Sequence, residues 1–240
     1  DQLTPTQIRR IHIEYYGLVA WLDGQIGQFI QALKRRGLYE NTVIVFESDH
    51  GNSLGEGGRL QKLTFAPEVH RVPRLIAWPG VLPASQRRAD LSEGLDLART
   101  LLDMAGLATP DHLRGRSLFS DPAPVAIHAT VGYGYASSRA FPSSAQGMLD
   151  YDSGWPRRTC VRTRRYRFEA NTRINDVPPP PAHQDPFLAD LLVDPDETHN
   201  VADDPRYADI RRTLMAVLEA RTRDSYTPPE HLTWGQYELK

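Results

Sequence analysis

The run Val43-Ile44-Val45-Phe46 constrains the fold of this chain more than any other feature. It is continuously apolar rather than alternating, the pattern of a strand covered on both faces. Such strands arise where helices pack on either side of a sheet, and the flanking sequence supplies them. Thr4-Pro5 has the form of an N-cap followed by proline at the first helical position. From there to about Arg36, Ile8, Ile11, Tyr15, Leu18, Leu22, Ile26, Phe29, Ile30 and Leu33 recur at three- and four-residue spacings, one face of a long helix. Gly37 ends this helix, and Asn41 belongs to the turn before the strand. Arg74 to Trp78 reads as a second short strand stopped by Pro79-Gly80, and Leu95 to Ala105 as a helix stopped by Gly106. Helix, buried strand, loop, strand and helix in this order predict part of a layered α/β sheet.

Beyond about Phe119 the pattern changes. Val125 to Ala129 reads as a strand, Ala136 to Pro156 is rich in Ser, Gly and Pro, and Cys160 to Ala170 alternates as a hairpin or a pair of edge strands. Pro178 to Pro181 is a stiff connector. Asp190 to Val193 reads as another short strand, and Pro205 to about Arg221 as a terminal amphipathic helix. Strands grouped together and followed by a helix predict a small α+β subdomain. The expected organisation is an α/β segment over residues 1–119, an α+β subdomain over 120–222 and a tail over 223–240.

Composition excludes some partners. Charged residues make up 24% of the chain and the formal net charge is −2, which gives no reason to expect a nucleic acid or a membrane surface. No apolar run approaches the length of a membrane span. Cys160 is the one cysteine, so no intrachain disulfide can form. The chain begins DQLTPTQIRR, without initiator Met, basic n-region or apolar h-region, and is expected to be a processed protein, an excised domain or a truncated reading frame.

The apolar run leads directly into chemistry. In open α/β sheets, ligands gather beyond the carboxyl ends of the strands. There stand Ser48-Asp49-His50-Gly51, then the loop Gly55-Glu56-Gly57-Gly58, then Lys62. A carboxylate beside an imidazole can give one divalent cation an oxygen and a nitrogen ligand. Glycines let backbone approach a ligand closely, and Lys62 returns a positive charge suited to an anion at that metal. Spacing alone equally allows a plain turn with a hydrogen-bonded Asp49 and a solvated Lys62.

These residues resemble a known family. Ser48-Asp49-His50-Gly51 with the glycine loop and lysine resembles the second metal-binding motif of the sulfatases, in the alkaline-phosphatase superfamily. Tyr15-Tyr16, Val19, Asp23, Ile26 and Gly27 resemble the family's preceding helix, and Arg71-Val72-Pro73, Leu75-Ile76 and Pro79-Gly80 its R-V-P-L-I-x-x-P-G segment. Leu95-Asp96-Leu97, Thr100-Leu101-Leu102 and Ala105-Gly106 resemble its D-L-x-x-T-L-L-x-x-A-G helix, and Gly115-Arg116-Ser117-Leu118 its G-R-S-L. Val161-Arg162-Thr163 with Arg165-Tyr166, and Leu191-Leu192-Val193-Asp194 with Asp196, Glu197 and Asn200, resemble its C-terminal strand and signature. The matches run in order from about residue 12 to residue 220.

The resemblance implies part of an alkaline-phosphatase-like α/β/α sandwich followed by a small C-terminal subdomain. It also implies hydrolysis of sulfate esters, carried by small molecules or carbohydrates, in an intact protein that uses formylglycine and one divalent cation. Asp49 and His50 would be metal ligands, and Lys62 would contact the sulfate and the leaving oxygen. Calcium is the first expectation, with manganese or magnesium as alternatives. Many relatives have Asn in place of His50, and an imidazole tilts the site toward the softer manganese. Gly57 stands where many relatives have histidine.

The family's C-x-P-x-R nucleophile motif and its pair of metal-binding aspartates are absent from these 240 residues. The chain is therefore expected to be the C-terminal portion of a sulfatase, inactive in isolation, with an unpaired sheet edge and an exposed apolar face. Cys160-Val161-Arg162-Thr163-Arg164 has arginine in place of the motif's proline and lies after D-H-G, so Cys160 reads as structural. His70 could reach the cleft but reads as a hydrogen-bonded structural residue. His12, His112, His128, His183 and His199 have no ligand spacing with one another. The arginines from Arg157 to Arg167 read as a solvated face on an edge strand, with contact to an acidic substrate as the alternative. Tyr133 and Tyr135 are candidates for a substrate rim. The rival functions are a phosphonate monoester or phosphodiester hydrolase of the same superfamily, and a non-catalytic sulfatase-like binding or structural protein.

Overall fold

The computed structural model describes residues 3–62, 64–132, 156–174 and 177–225. They pack as two compact units, residues 1–89 and 90–240, so residues 90–119 cluster with the second unit.

The first unit opens on helix α1 (Pro5–Arg35), which starts and stops as its sequence predicts. The Thr4 hydroxyl accepts from the Gln7 amide at 3.3 Å, and the Gln7 side-chain oxygen accepts from the Thr4 amide at 2.9 Å, a reciprocal capping box. Gly37 adopts φ +66° and closes the other end, where its N–H donates to the Lys34 carbonyl. No residue of α1 is buried, and Trp21, Leu22 and Phe29 face solvent.

Strand β1 (Ile44–Glu47) follows a short 3-10 turn. Its side chains are half-buried along its length rather than covered on both faces. Its partner among the described residues is β4 (Arg74–Ala77), antiparallel, with Glu47 opposite Arg74. Between them lie β2 (Ser53–Leu54) and β3 (Leu60–Gln61), which pair antiparallel, and the one-turn helix α2 (Pro67–His70). Phe65, Ala66 and Val69 on and before α2 are the buried apolar residues of this unit.

The second unit begins with α3 (Asp96–Met104), and Gly106 at φ +66° follows it. The buried Asp96 fastens α3 to the next segment by accepting from the Glu93 and Arg116 amides, each at 3.0 Å. A four-stranded antiparallel sheet follows in the order β5 (Ala126–Val131), β6 (Arg157–Thr163), β7 (Tyr166–Arg173) and β8 (Phe187–Asp190). Helix α4 (Ala208–Ser225) crosses it, setting Leu214 and Leu218 against Val161, Phe168, Ala170 and Leu188.

Two expectations are corrected here. The strand expected at Asp190 to Val193 lies earlier, at Phe187–Asp190. Asp190 ends it because its carboxylate accepts from Arg165, from the Tyr207 hydroxyl at 3.2 Å and from the Leu192 amide at 3.3 Å, while the Val193 and Asp194 amides turn back onto its carbonyl. The hairpin of β6 and β7 is the middle of the sheet, not an edge. Arg158, Arg162 and Arg167 are therefore paired and largely buried rather than solvated, while Arg164 and Arg165 at the turn stay exposed. Glu197 binds Arg162 with both oxygens and Arg167 at 2.6 Å, while Glu169 binds Arg167 and, at 2.8 Å, Arg158. The Glu197 and Arg167 side chains are 0% and 4% exposed, a burial that charged groups tolerate only when paired.

Candidate functional site

Strand β1 delivers Ser48 to Gly51 past its carboxyl end, and local hydrogen bonds fix the turn. The Ser48 hydroxyl donates to the His50 carbonyl at 2.8 Å, and Asp49 Oδ1 accepts from the His50 amide at 2.9 Å. Helix α2 then holds the turn from the side. The Gly51 N–H donates to the Val69 carbonyl at 2.8 Å. A Cβ on Gly51 would lie 2.0 Å from the Glu68 carbonyl oxygen, so a larger residue cannot stand there without moving one backbone or the other. The buried Ser53 donates to Glu68 Oε1 at 3.0 Å, a second tie to α2.

The β2–β3 ladder brings Lys62 back. Its loop passes through Gly55, Gly57 and Gly58 at φ +123°, +58° and +75°, conformations open to glycine and rarely to other residues. The Leu54 amide donates to Glu56 Oε2 at 2.5 Å, and His12 of α1 donates from Nε2 to the Leu54 carbonyl at 3.2 Å. With Ser53 opposite Gln61 in the ladder, Lys62 emerges beside the turn of β1.

The three predicted site residues meet there. His50 Nδ1 lies 2.9 Å from the Gly51 carbonyl oxygen. A carbonyl only accepts, so Nδ1 carries the ring proton and Nε2 presents the lone pair. Asp49 Oδ2 lies 3.5 Å from that Nε2, and Lys62 Nζ 2.8 Å from it. The Asp49 side chain is largely exposed and that of His50 about one-third exposed, so a solute has access to both.

This donor set fits two ligands of one divalent cation. An imidazole fixed through Nδ1 with Nε2 left as the acceptor is the arrangement that orients a metal-binding histidine, and the Asp49 oxygen 3.5 Å from Nε2 is spaced as a second ligand of the same ion would be. The remaining ligands are not in this cluster: among the described residues, no group of three or more His, Cys, Asp or Glu could hold a metal. Glu47, which ends β1, gives its Oε1 to Arg74, whose Nε donates to it at 3.0 Å.

Sequence reasoning did not find the residues that hold this site, namely His12, Ser53 and Glu68. None carries a motif signal, and only the fold brings them to the loop. The other candidates stand apart. His70 packs edge-on against Phe65 at 5.0 Å. His128 has its backbone N–H on Glu93 at 3.0 Å, and burial, then Arg221, lower its pKa. His199 lies 3.6 Å from Asp194. Cys160 is buried inside the sheet, where burial and the Glu169 carboxylate push its thiol pKa well above the ordinary value. Tyr133 and Tyr135 lie outside the described residues.

Residues 2–107 match the family model described as Sulfatase. The chain is 28% identical to the multifunctional alkaline phosphatase superfamily protein PehA of Trinickia caryophylli, over 86% of its own length and 39% of that protein's. It is also 28% identical to the N-acetylglucosamine-6-O-sulfatase of Bacteroides thetaiotaomicron, over 86% of its own length and 34% of that protein's. Among solved structures, the phosphonate monoester hydrolase of Agrobacterium radiobacter superposes with a TM-score of 0.69 at 27% identity, covering 88% of this chain and 40% of that one. The chain thus spans about two fifths or less of the length of the relatives it matches.

Proposed function

Because residues 2–107 belong to the sulfatase family, we propose that this chain supplies one side of a sulfate-ester hydrolase site. Asp49 Oδ2 and His50 Nε2 would hold a divalent cation there, and Lys62 would meet the anion. The observation that carries the reading is the convergence of those three side chains at the end of β1, with Nε2 3.5 Å from Oδ2 and 2.8 Å from Nζ. Calcium is the first candidate for the cation, with manganese or magnesium as alternatives, and of these the imidazole favours manganese.

The chemistry suits the substrate. A sulfate ester is already anionic, and cleavage of its S–O bond moves further charge onto the leaving oxygen. When bound, the cation would draw charge from the sulfate oxygens, a stabilisation that grows as the bond breaks. Lys62 would add a positive charge on a flexible stem with three donors, able to follow a sulfate oxygen or the leaving oxygen. Gly51 and Ser53 would hold the turn so that Asp49 and His50 need no reorganisation. The nucleophile, read by family resemblance as a formylglycine hydrate, would come from residues other than these 240. The sulfatase of Bacteroides thetaiotaomicron acts, by its name, on a 6-O-sulfated amino sugar, and a sulfated carbohydrate is the substrate class we assign here.

Similarity to a phosphonate monoester hydrolase over 88% of the chain supports a second reading. The same cation and lysine would serve a phosphonate or phosphate diester. Parallel assays of the intact protein on an aryl sulfate and an aryl phosphonate monoester separate the two. In the preferred assay, Asp49→Ala is expected to lower turnover by about a hundredfold or more. Undiminished turnover would overturn the assignment of this site.

A further inference from the structure

We propose that Lys62 is a placeholder at His50 Nε2, which a divalent cation must expel before the lysine can bind an anion. The inference rests on the reading of Asp49 and His50 as cation ligands. With Nδ1 given to the Gly51 carbonyl at 2.9 Å, the ring has a single in-plane lone pair, on Nε2. An ammonium has donors and no acceptor, so Lys62 at 2.8 Å uses that lone pair. A divalent cation sits about 2.0–2.6 Å from its ligand atom, along that lone pair. Cation and ammonium would then overlap within about an ångström. Only one can occupy the position, and their like charges repel.

The exchange is local. Lys62 is exposed and follows directly on β3, so its side chain can swing while the ladder to β2 stays paired. Asp49 Oδ2, 3.5 Å from Nε2, would serve the incoming cation. Before cation binding the lysine is engaged, and an anion arriving alone finds it held. After cation binding the lysine is free beside a second positive charge. Cation and anion binding are therefore coupled through one hydrogen bond, and by linkage each strengthens the other by the same factor.

Manganese(II) binding to the intact protein, followed by electron paramagnetic resonance at 0.1 M and 1 M KCl, tests this. Lys62→Met is expected to bind manganese about tenfold more tightly than the unaltered chain, the worth of a charge-assisted hydrogen bond no longer competing. Most of that gain is expected to survive at 1 M KCl, where screening acts over about 3 Å and removes longer-range repulsion. In a calcium titration followed by nitrogen NMR, the Lys62 ammonium signal is expected to move from bound to free at the calcium concentration that shifts His50 Nε2. Equal affinities, a gain that vanishes at 1 M KCl, or a Lys62 signal that stays still while His50 shifts would each overturn the placeholder and leave the ligand assignment standing. Manganese binding that persists unchanged in His50→Ala would overturn the ligand assignment and the placeholder together.

Discussion

Lys62 Nζ donates to His50 Nε2 at 2.8 Å, and the contact has one possible direction, because the other ring nitrogen is already spent on the Gly51 carbonyl. It joins the two ends of a twelve-residue excursion, and its geometry is inherited from the backbone turn that carries His50.

That turn depends on Gly51. A methyl group there meets the Glu68 carbonyl oxygen at 2.0 Å, against backbone that cannot rotate away. Gly51→Ala is expected to cost about 1–3 kcal/mol in urea unfolding and to lower manganese affinity at the same time. Full affinity with unchanged stability would mean that α2 does not set the turn.

The buried ion pairs of the second unit give a larger effect. Glu197 is held at φ +58° with its carboxylate shared between Arg162 and Arg167. Glu197→Ala leaves the Arg162 guanidinium without its acid and Arg167 with Glu169 alone, and is expected to destabilise this unit by about 3–5 kcal/mol. Asp209→Ala, which removes the exposed partner of Arg212, is expected to cost less than about 1 kcal/mol. Chemical denaturation of both variants side by side checks the contrast.

Cys160 offers a probe of opening. It is buried between strands, and its thiol is pushed away from ionisation by desolvation and then by Glu169. Because the thiolate is the nucleophile, a disulfide reagent at pH 8 is expected to modify the folded chain no faster than the second unit unfolds. Rapid labelling under native conditions would place Cys160 at the surface.

Asp190 predicts a pH dependence. Hydrogen bonds from Arg165 hold its carboxyl below the usual carboxylate range, aided by the Leu192 amide and the Tyr207 hydroxyl and opposed by burial. A folded-state pKa below the unfolded value of about 3.9 means that this stabilisation is complete above that value and is lost as pH falls through the folded one. Asp190→Asn is therefore expected to be less stable than the parent at pH 7, with the difference shrinking below about pH 4. Urea midpoints at successive pH values would show the two curves converging; parallel curves would refute the assignment.

What the sequence disclosed was local. Thr4 and Pro5 announced the start of α1, Gly37 its end, and the apolar run with Asp49, His50 and Lys62 marked the strand end and its return, because each signal lies within a few residues of its cause. The supports of that site were illegible. Glu68 meets Ser53 across 15 residues and His12 meets Leu54 across 42, with no periodic or compositional trace of either contact. The arginines of β6 and β7 were misplaced for the same reason. Their charges are visible in the chain, but Glu197 stands 35 residues beyond Arg162 and only the fold shows that it faces inward.

That distance bears on the order of assembly. Arg162 and Arg167 lie directly opposite each other across the β6–β7 hairpin, and like charges so placed push strands apart. Glu169, inside the hairpin, answers Arg167 as soon as β7 is made, whereas Arg162 is paired with Glu197, from far beyond it. A nascent chain extending from a ribosome would carry a positive charge in excess across this pair until the segment around Glu197 emerged and docked. The last step in closing this sheet thus awaits a residue outside the hairpin.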